Sequence, residues 1–124
     1  MHPVYPDLSR RRYLVTGASS GIGLVCARML AEQGSKVLAQ YRGQNRPVEE
    51  LTQAFPGAVF GLQAGLAEES GCVRAGTEAG RILGGLDGIV HSAGIWNDGH
   101  IRTLTRENLE TMFRTNTFSS YYLC

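Results

Sequence analysis

"TGASSGIG", residues 16–23, lies between a short apolar run and an amphipathic one. Upstream, "YLVT" (13–16) is β-prone and stops at Gly17, which predicts a buried strand. Downstream, "IGLVCARMLAEQ" (22–33) sets Ile22, Val25, Cys26, Met29 and Leu30 at helical spacing, with Arg28 and Glu32 elsewhere on the surface and Gly34 as the stop. Gly17, Gly21 and Gly23 therefore open a turn that runs from a strand into a helix.

The same alternation continues. "KVLAQY" (36–41) reads as a second strand, "RGQN" as a loop, and residues 47–54 as a short helix with proline in its first turn. "GAVFGLQ", from Gly57, reads as a third strand. Residues 67–85 read as a helix although Gly71, Gly76, Gly80, Gly84 and Gly85 each weaken it by about 1 kcal/mol relative to alanine. "LDGIVHSAG" (86–94) is a fourth strand that runs into a turn. Residues 105–123 form a long helix, with Thr105 as cap before Glu107 and with Leu109, Met112, Phe113 and Phe118 for apolar contacts. Strand and helix alternating in this way imply an α/β fold, a Rossmann-type doubly wound parallel sheet with about four strands, the first half only of such a sheet. Residues 1–11 are a lead-in, with Arg10, Arg11 and Arg12 as a solvated approach to the first strand. Residues 12–124 are expected to form a partial domain of this kind that ends in the helix after the fourth strand.

The chain has 124 residues, 43% of them hydrophobic, which suits one compact domain. With a formal net charge of +1 and one short arginine cluster, no nucleic-acid partner is expected. The amino terminus lacks an apolar core of signal-peptide length and no stretch is long and apolar enough for a membrane span, so a cytoplasmic location without membrane contact is the default expectation. Cys26, Cys72 and Cys124 are far apart and outside any paired metal-ligand spacing, so reduced thiols and no metal are expected.

A dinucleotide presents a pyrophosphate, and its site needs close backbone approach with amides aimed at negative charge. Glycines at a strand-to-helix turn meet both needs. The alternative is a turn that uses glycine for dihedral freedom alone. At the end of the second strand, where NAD would want a carboxylate for its ribose hydroxyls, stands Tyr41, and no acid follows until Glu49. Arg42 comes next. A guanidinium there suits a 2′-phosphate, which favours NADP(H) over NAD(H), with Ser20 and Arg42 as phosphate contacts.

The pattern Thr16-Gly17-x-x-x-Gly21-x-Gly23 resembles the signature of the short-chain dehydrogenase/reductase family. "HSAG" (91–94) stands where that family usually has Asn-Asn-Ala-Gly, and Asn116 where it has its structural and catalytic asparagine. "AGIWNDGHIRTLTRENLETMFRTN" is similar to the bacterial 3-oxoacyl-[acyl-carrier-protein] reductase branch, and the resemblance extends from Arg12 onward. It implies cofactor contacts at Gly17, Ser19, Ser20, Gly21, Ile22 and Gly23, and further ones at Arg42, Leu66, Ser92, Ala93 and Gly94. It also implies carbonyl reduction or alcohol oxidation on a small molecule, a catalytic part for Asn116, and a homo-oligomer in the full-length form.

Three departures stand out. Ala64-Gly65-Leu66 replaces an Ala-Asp-Leu whose aspartate contacts adenine, and His91 and Ser92 replace the paired asparagines, with His91 expected to be structural. The family's Tyr-x-x-x-Lys, in which the lysine lowers the tyrosine pKa, is absent: the single lysine is Lys36, and the residue four before it is Glu32. Tyr121 and Tyr122 read as packing residues. The expectation is therefore an amino-terminal part whose reaction chemistry lies beyond residue 124 and which is inactive alone, its fourth strand left as an apolar edge. The alternative is a non-catalytic nucleotide-binding or interaction module that pairs with a full-length relative.

Overall fold

The structure is a computed structural model that describes residues 3–96 and 99–124. Its elements are β1 (Arg12–Thr16), α1 (Gly21–Glu32), β2 (Lys36–Tyr41), α2 (Arg46–Ala54), β3 (Val59–Gln63), α3 (Glu69–Leu83), β4 (Gly88–His91), α4 (Arg106–Phe113) and α5 (Ser119–Leu123). A π-helical turn, Arg114–Phe118, joins the last two. The four strands are parallel in the order β3-β2-β1-β4. The chain builds outward from β1 to β3 and then crosses back to place β4 on the other side of β1, so the order reverses between β1 and β4. The register pairs Val15 with Val90 and Thr16 with His91, which brings the turns after both strands side by side. In open sheets of this kind the crevice at such a reversal is where ligands bind.

Alternation along the strands sends side chains to two cores. Leu14, Leu38 and Leu62 meet Cys72, Ala75, Ala79 and Leu83 of α3. Val15, Val37, Ala39 and Val59 meet Ala27 and Ala31 of α1 and Val48 and Leu51 of α2 on the opposite face. At the far end of β1, Arg12 is no solvated lead-in residue. Its main-chain N–H and Nε donate to Asp87 Oδ2 at 2.9 and 3.1 Å, and Nη1 donates to the Gly84 carbonyl at 3.0 Å. This clasp holds the α3–β4 turn against β1, and it lowers the Asp87 pKa below its ordinary value. The lead-in itself lies along the end of α1, where Tyr5 N–H donates to Gln33 Oε1 and Gln33 Nε2 to the Pro3 carbonyl, both at 2.7 Å.

Two expectations about helix faces are overturned. On α1 the apolar stripe read from the sequence lies mostly outward, with Ile22 76% exposed and Val25 and Met29 also exposed; the residues against the sheet are Gly23, Ala27 and Ala31. Small residues at i, i+4 and i+8 let the helix axis approach the sheet, which the larger side chains would prevent. On the last helical stretch Leu109, Phe113 and Phe118 are exposed and Tyr121 is 81% exposed, so the described residues do not bury them; Phe113 meets Phe118 and Tyr121 meets Tyr122 at the surface, while Met112 is half-buried. Nothing in the described residues covers that face.

Thr105 caps α4 as expected, by a reciprocal pair of bonds with Asn108, each 3.1 Å long. All four β4 residues are half-buried, at the edge of the sheet. The cysteines are free thiols. Among the described residues no helix is long and apolar enough to cross a membrane, and no three His, Cys, Asp or Glu side chains group as metal ligands.

The glycine-rich α3 is helical throughout, and its glycines are not equivalent. A Cβ at Gly71 would run into the Gly65 carbonyl, whereas Gly76 and Gly80 face open space. Gly71→Ala should therefore cost about 1–3 kcal/mol through overpacking. Gly80→Ala should add about 0.5–1 kcal/mol by removing backbone freedom from the unfolded chain. Urea unfolding of both variants checks the opposite signs.

Candidate cofactor site

The turn between β1 and α1 is shaped by two close approaches. Gly17 has φ +62°, and a Cβ on it would stand 2.8 Å from Ala93 Cα. A Cβ on Gly23 would run into the Gly17 carbonyl. The turn is thus pressed against the backbone after β4 on one side and against the first turn of α1 on the other. Ser20, at the amino end of α1, makes no capping bond with its side chain, so it does not occupy the first-turn amides of that twelve-residue helix. Those amides and the helix dipole favour an anion.

Gln40, 2% exposed in β2, fixes the turn from below. Its Oε1 accepts the Gly17 N–H at 2.9 Å and its Nε2 donates to the Ala64 carbonyl at 2.6 Å. Its own carbonyl accepts the Ala18 N–H at 2.9 Å. One buried amide therefore joins the β1–α1 turn to the loop after β3. Sequence reading passed over Gln40, although a lone amide in the otherwise apolar "VLAQ" of a buried strand is the signal to look for.

These turns enclose a cleft of about 350 Å³ at the β1–β4 reversal. Of the residues singled out from the sequence, Gly17, Ser19, Ser20, Arg42, Leu66, Ser92, Ala93 and Gly94 line it. Gly21, Ile22 and Gly23 do not line it: Ile22 points to solvent, Gly23 is buried under the turn, and Gly21 supplies a φ of +53°. Gln40, Gly43, Gln44, Ile95 and Thr115 complete the lining, unanticipated from the sequence. Among the described residues the lining has one cation, Arg42, and no carboxylate.

Asn116 is not in the lining. Its Oδ1 accepts the Ile95 N–H at 2.8 Å and its Nδ2 donates to the Ile95 carbonyl at 2.9 Å, which pins the loop after β4. Its neighbour Thr115 lines the cleft, 8% exposed, with a buried Oγ1 that has no hydrogen-bond partner. An orphaned hydroxyl beside a cleft with glycine-thin walls and a single arginine suits a polar, anionic guest. His91, at the end of β4, faces Thr16 and Ser119, and burial pushes its pKa below the ordinary 6.5.

Residues 11–124 match the family model for short chain dehydrogenase. The chain belongs to the short-chain dehydrogenase family. It is 33% identical over 113 residues to the short chain dehydrogenase mdpC of Emericella nidulans, covering 89% of this chain and 43% of that one. With a probable tetrahydroxynaphthalene reductase of Zymoseptoria tritici it shares 32% over 126 residues, covering 96% and 47%. A short chain dehydrogenase from Burkholderia cenocepacia, solved in complex with NADP, superposes with a TM-score of 0.89 at 27% identity over 94% of this chain and 49% of its own. The chain spans less than half the length of these relatives. The doubly wound α/β sheet and its half extent agree with the sequence reading.

Gln40→Leu removes both polar atoms of the side chain and strands the Gly17 N–H and the Ala64 carbonyl. A buried unpaired backbone group costs about 1–3 kcal/mol. Chemical denaturation should show a loss of that order, and an unchanged midpoint would contradict the bridging role.

Proposed function

We propose that this chain is the NADP(H)-binding half of a short-chain dehydrogenase/reductase acting on a small-molecule carbonyl or alcohol. The observation that carries the reading is the cleft at the strand-order reversal. Its walls at Gly17 and Ala93 are too close for a side chain, and Arg42 is the one charged residue among the described lining residues. When bound, the nicotinamide would supply or accept hydride at its C4. The chain's own groups do the rest: Ser19 and Ser20 offer amides and hydroxyls to the cofactor phosphates, Arg42 meets the 2′-phosphate beside Ser20, and Ser92 to Gly94 form the thin wall beside the cofactor. Asn116 acts by holding Ile95, and so the loop after β4, in place. Among the described residues no ion pair engages Arg42, which suits a guanidinium that awaits an external phosphate. The NADP complex of the Burkholderia relative supports the same choice for that protein.

These 124 residues contain no Tyr-x-x-x-Lys, so proton transfer to a substrate carbonyl has no family-type donor here. The half-exposed β4 and the uncovered apolar side chains of α4 and α5 support assembly with further strands and helices, whether those belong to the remainder of the fold or to a full-length relative. That exposed face favours a second reading, a nucleotide-binding module that acts only through such pairing.

Calorimetric titration tests the cofactor choice. A charge-assisted pair contributes about 1.5–3 kcal/mol, so NADPH should bind roughly 10- to 100-fold more tightly than NADH. Arg42→Ala should remove that preference and leave NADH binding unchanged. Equal affinities in the unaltered chain would overturn the NADP(H) assignment, and ketone turnover by the chain alone would overturn its inactivity.

A further inference from the structure

His91 closes β4, and its ring links two parts of the fold that the sheet ladder does not connect. Nδ1 lies 2.7 Å from Thr16 Oγ1, and Nε2 lies 3.0 Å from Ser119 Oγ. Beyond these, the Ala93 N–H donates to Thr16 Oγ1 at 3.0 Å, and Ser119 Oγ donates to the Thr115 carbonyl. The protons in this chain can be assigned by exhaustion. The Ser119 hydroxyl proton is already directed at the Thr115 carbonyl, so Ser119 Oγ must accept from His91, which puts the imidazole proton on Nε2. Nδ1 is then an acceptor. It takes the Thr16 hydroxyl proton, and that leaves the Thr16 oxygen free to accept the Ala93 N–H. Every donor finds an acceptor, in one direction only, from Ala93 to Thr115.

We propose that His91, protonated on Nε2, is the positioning residue that couples the cleft wall at Ala93 to the π-helical turn carrying Thr115 and Asn116. The two ends matter because Ala93 and Thr115 both line the cleft, and the next residue, Asn116, pins the loop that follows Ala93. An asparagine, the residue usual here by resemblance, reaches about as far as Nδ1 and cannot also stand at Nε2, so it would engage Thr16 and release Ser119. Among the described residues no charged side chain contributes to the lowered pKa of His91, for which burial is the cause, and this agrees with a ring held neutral. The coupling rests on these hydrogen bonds; only its bearing on cofactor binding rests on the function proposed above.

The test is nuclear magnetic resonance of the isotope-labelled 124-residue chain at neutral pH, without cofactor. The His91 ring nitrogens should show the Nε2–H tautomer, and an Nδ1–H tautomer would overturn the assignment. Ser119→Ala should move the Ala93 amide resonance when His91 is present and leave it unmoved in a His91→Leu background. His91→Asn serves in the same way if the leucine variant does not fold. A Ser119→Ala effect of equal size in both backgrounds, or in neither, refutes the coupling. Because no cofactor is needed, a chain that ignored NADPH would sink the proposed function and leave this result standing.

Discussion

The carbonyl of Gly17 and the first turn of α1 stand so close that no side chain fits at Gly23, and most of the site follows from that contact. It lets α1 lie low over β1, which is why the residues that α1 buries, Gly23, Ala27 and Ala31, are small. It also aims the amino end of α1 at the strand ends. Gly17 itself is then pressed on Ala93, so the turn after β1 and the turn after β4 share one wall. Backbone packed this tightly leaves little room for rearrangement. The cleft is accordingly a preformed feature of the strand-order reversal.

Three polar devices hold that wall, each reaching it from a different element. Gln40 reaches from β2 to Gly17 and Ala64, Thr16 reaches from β1 to Ala93, and Asn116 reaches from the π turn to Ile95. All three bond to main chain, so they fix positions without adding charge. The charge comes from Arg42 alone among the described lining residues. A rigid neutral cradle with one cation at its rim discriminates between ligands by a phosphate more readily than a cradle crowded with compensating carboxylates.

Much of this was legible in the sequence because it depends on local signals. The glycine spacing between an apolar run and a helical one marked the turn, the alternation of periods marked the strands and helices, and Thr105 marked the start of α4. The glycines of α3 did not prevent its helix, since Cys72, Ala75, Ala79 and Leu83 bury one face of it against the sheet. What escaped notice depends on partners distant in sequence. Gln40 looks like any polar residue in a strand until Gly17 and Ala64 are brought to it. His91 cannot be seen as a bridge before β4 is set beside β1 and Ser119 of α5 is brought to its ring. The apolar stripe of α1 misled because periodicity identifies a face but does not say what covers it. For Ile22, Val25 and Met29, and likewise for Leu109, Phe113 and Tyr121, that cover is absent from the described residues.

The central claim is that the turn at residues 17–21 receives a diphosphate. A crystal structure of the chain grown with NADPH tests it most directly. The account predicts the diphosphate against Ser19 and Ser20, the 2′-phosphate in contact with the Arg42 guanidinium, and the wall at Ala93 unmoved. A diphosphate seated elsewhere, with Gly17 and Ala93 still in contact behind an empty cleft, would contradict it.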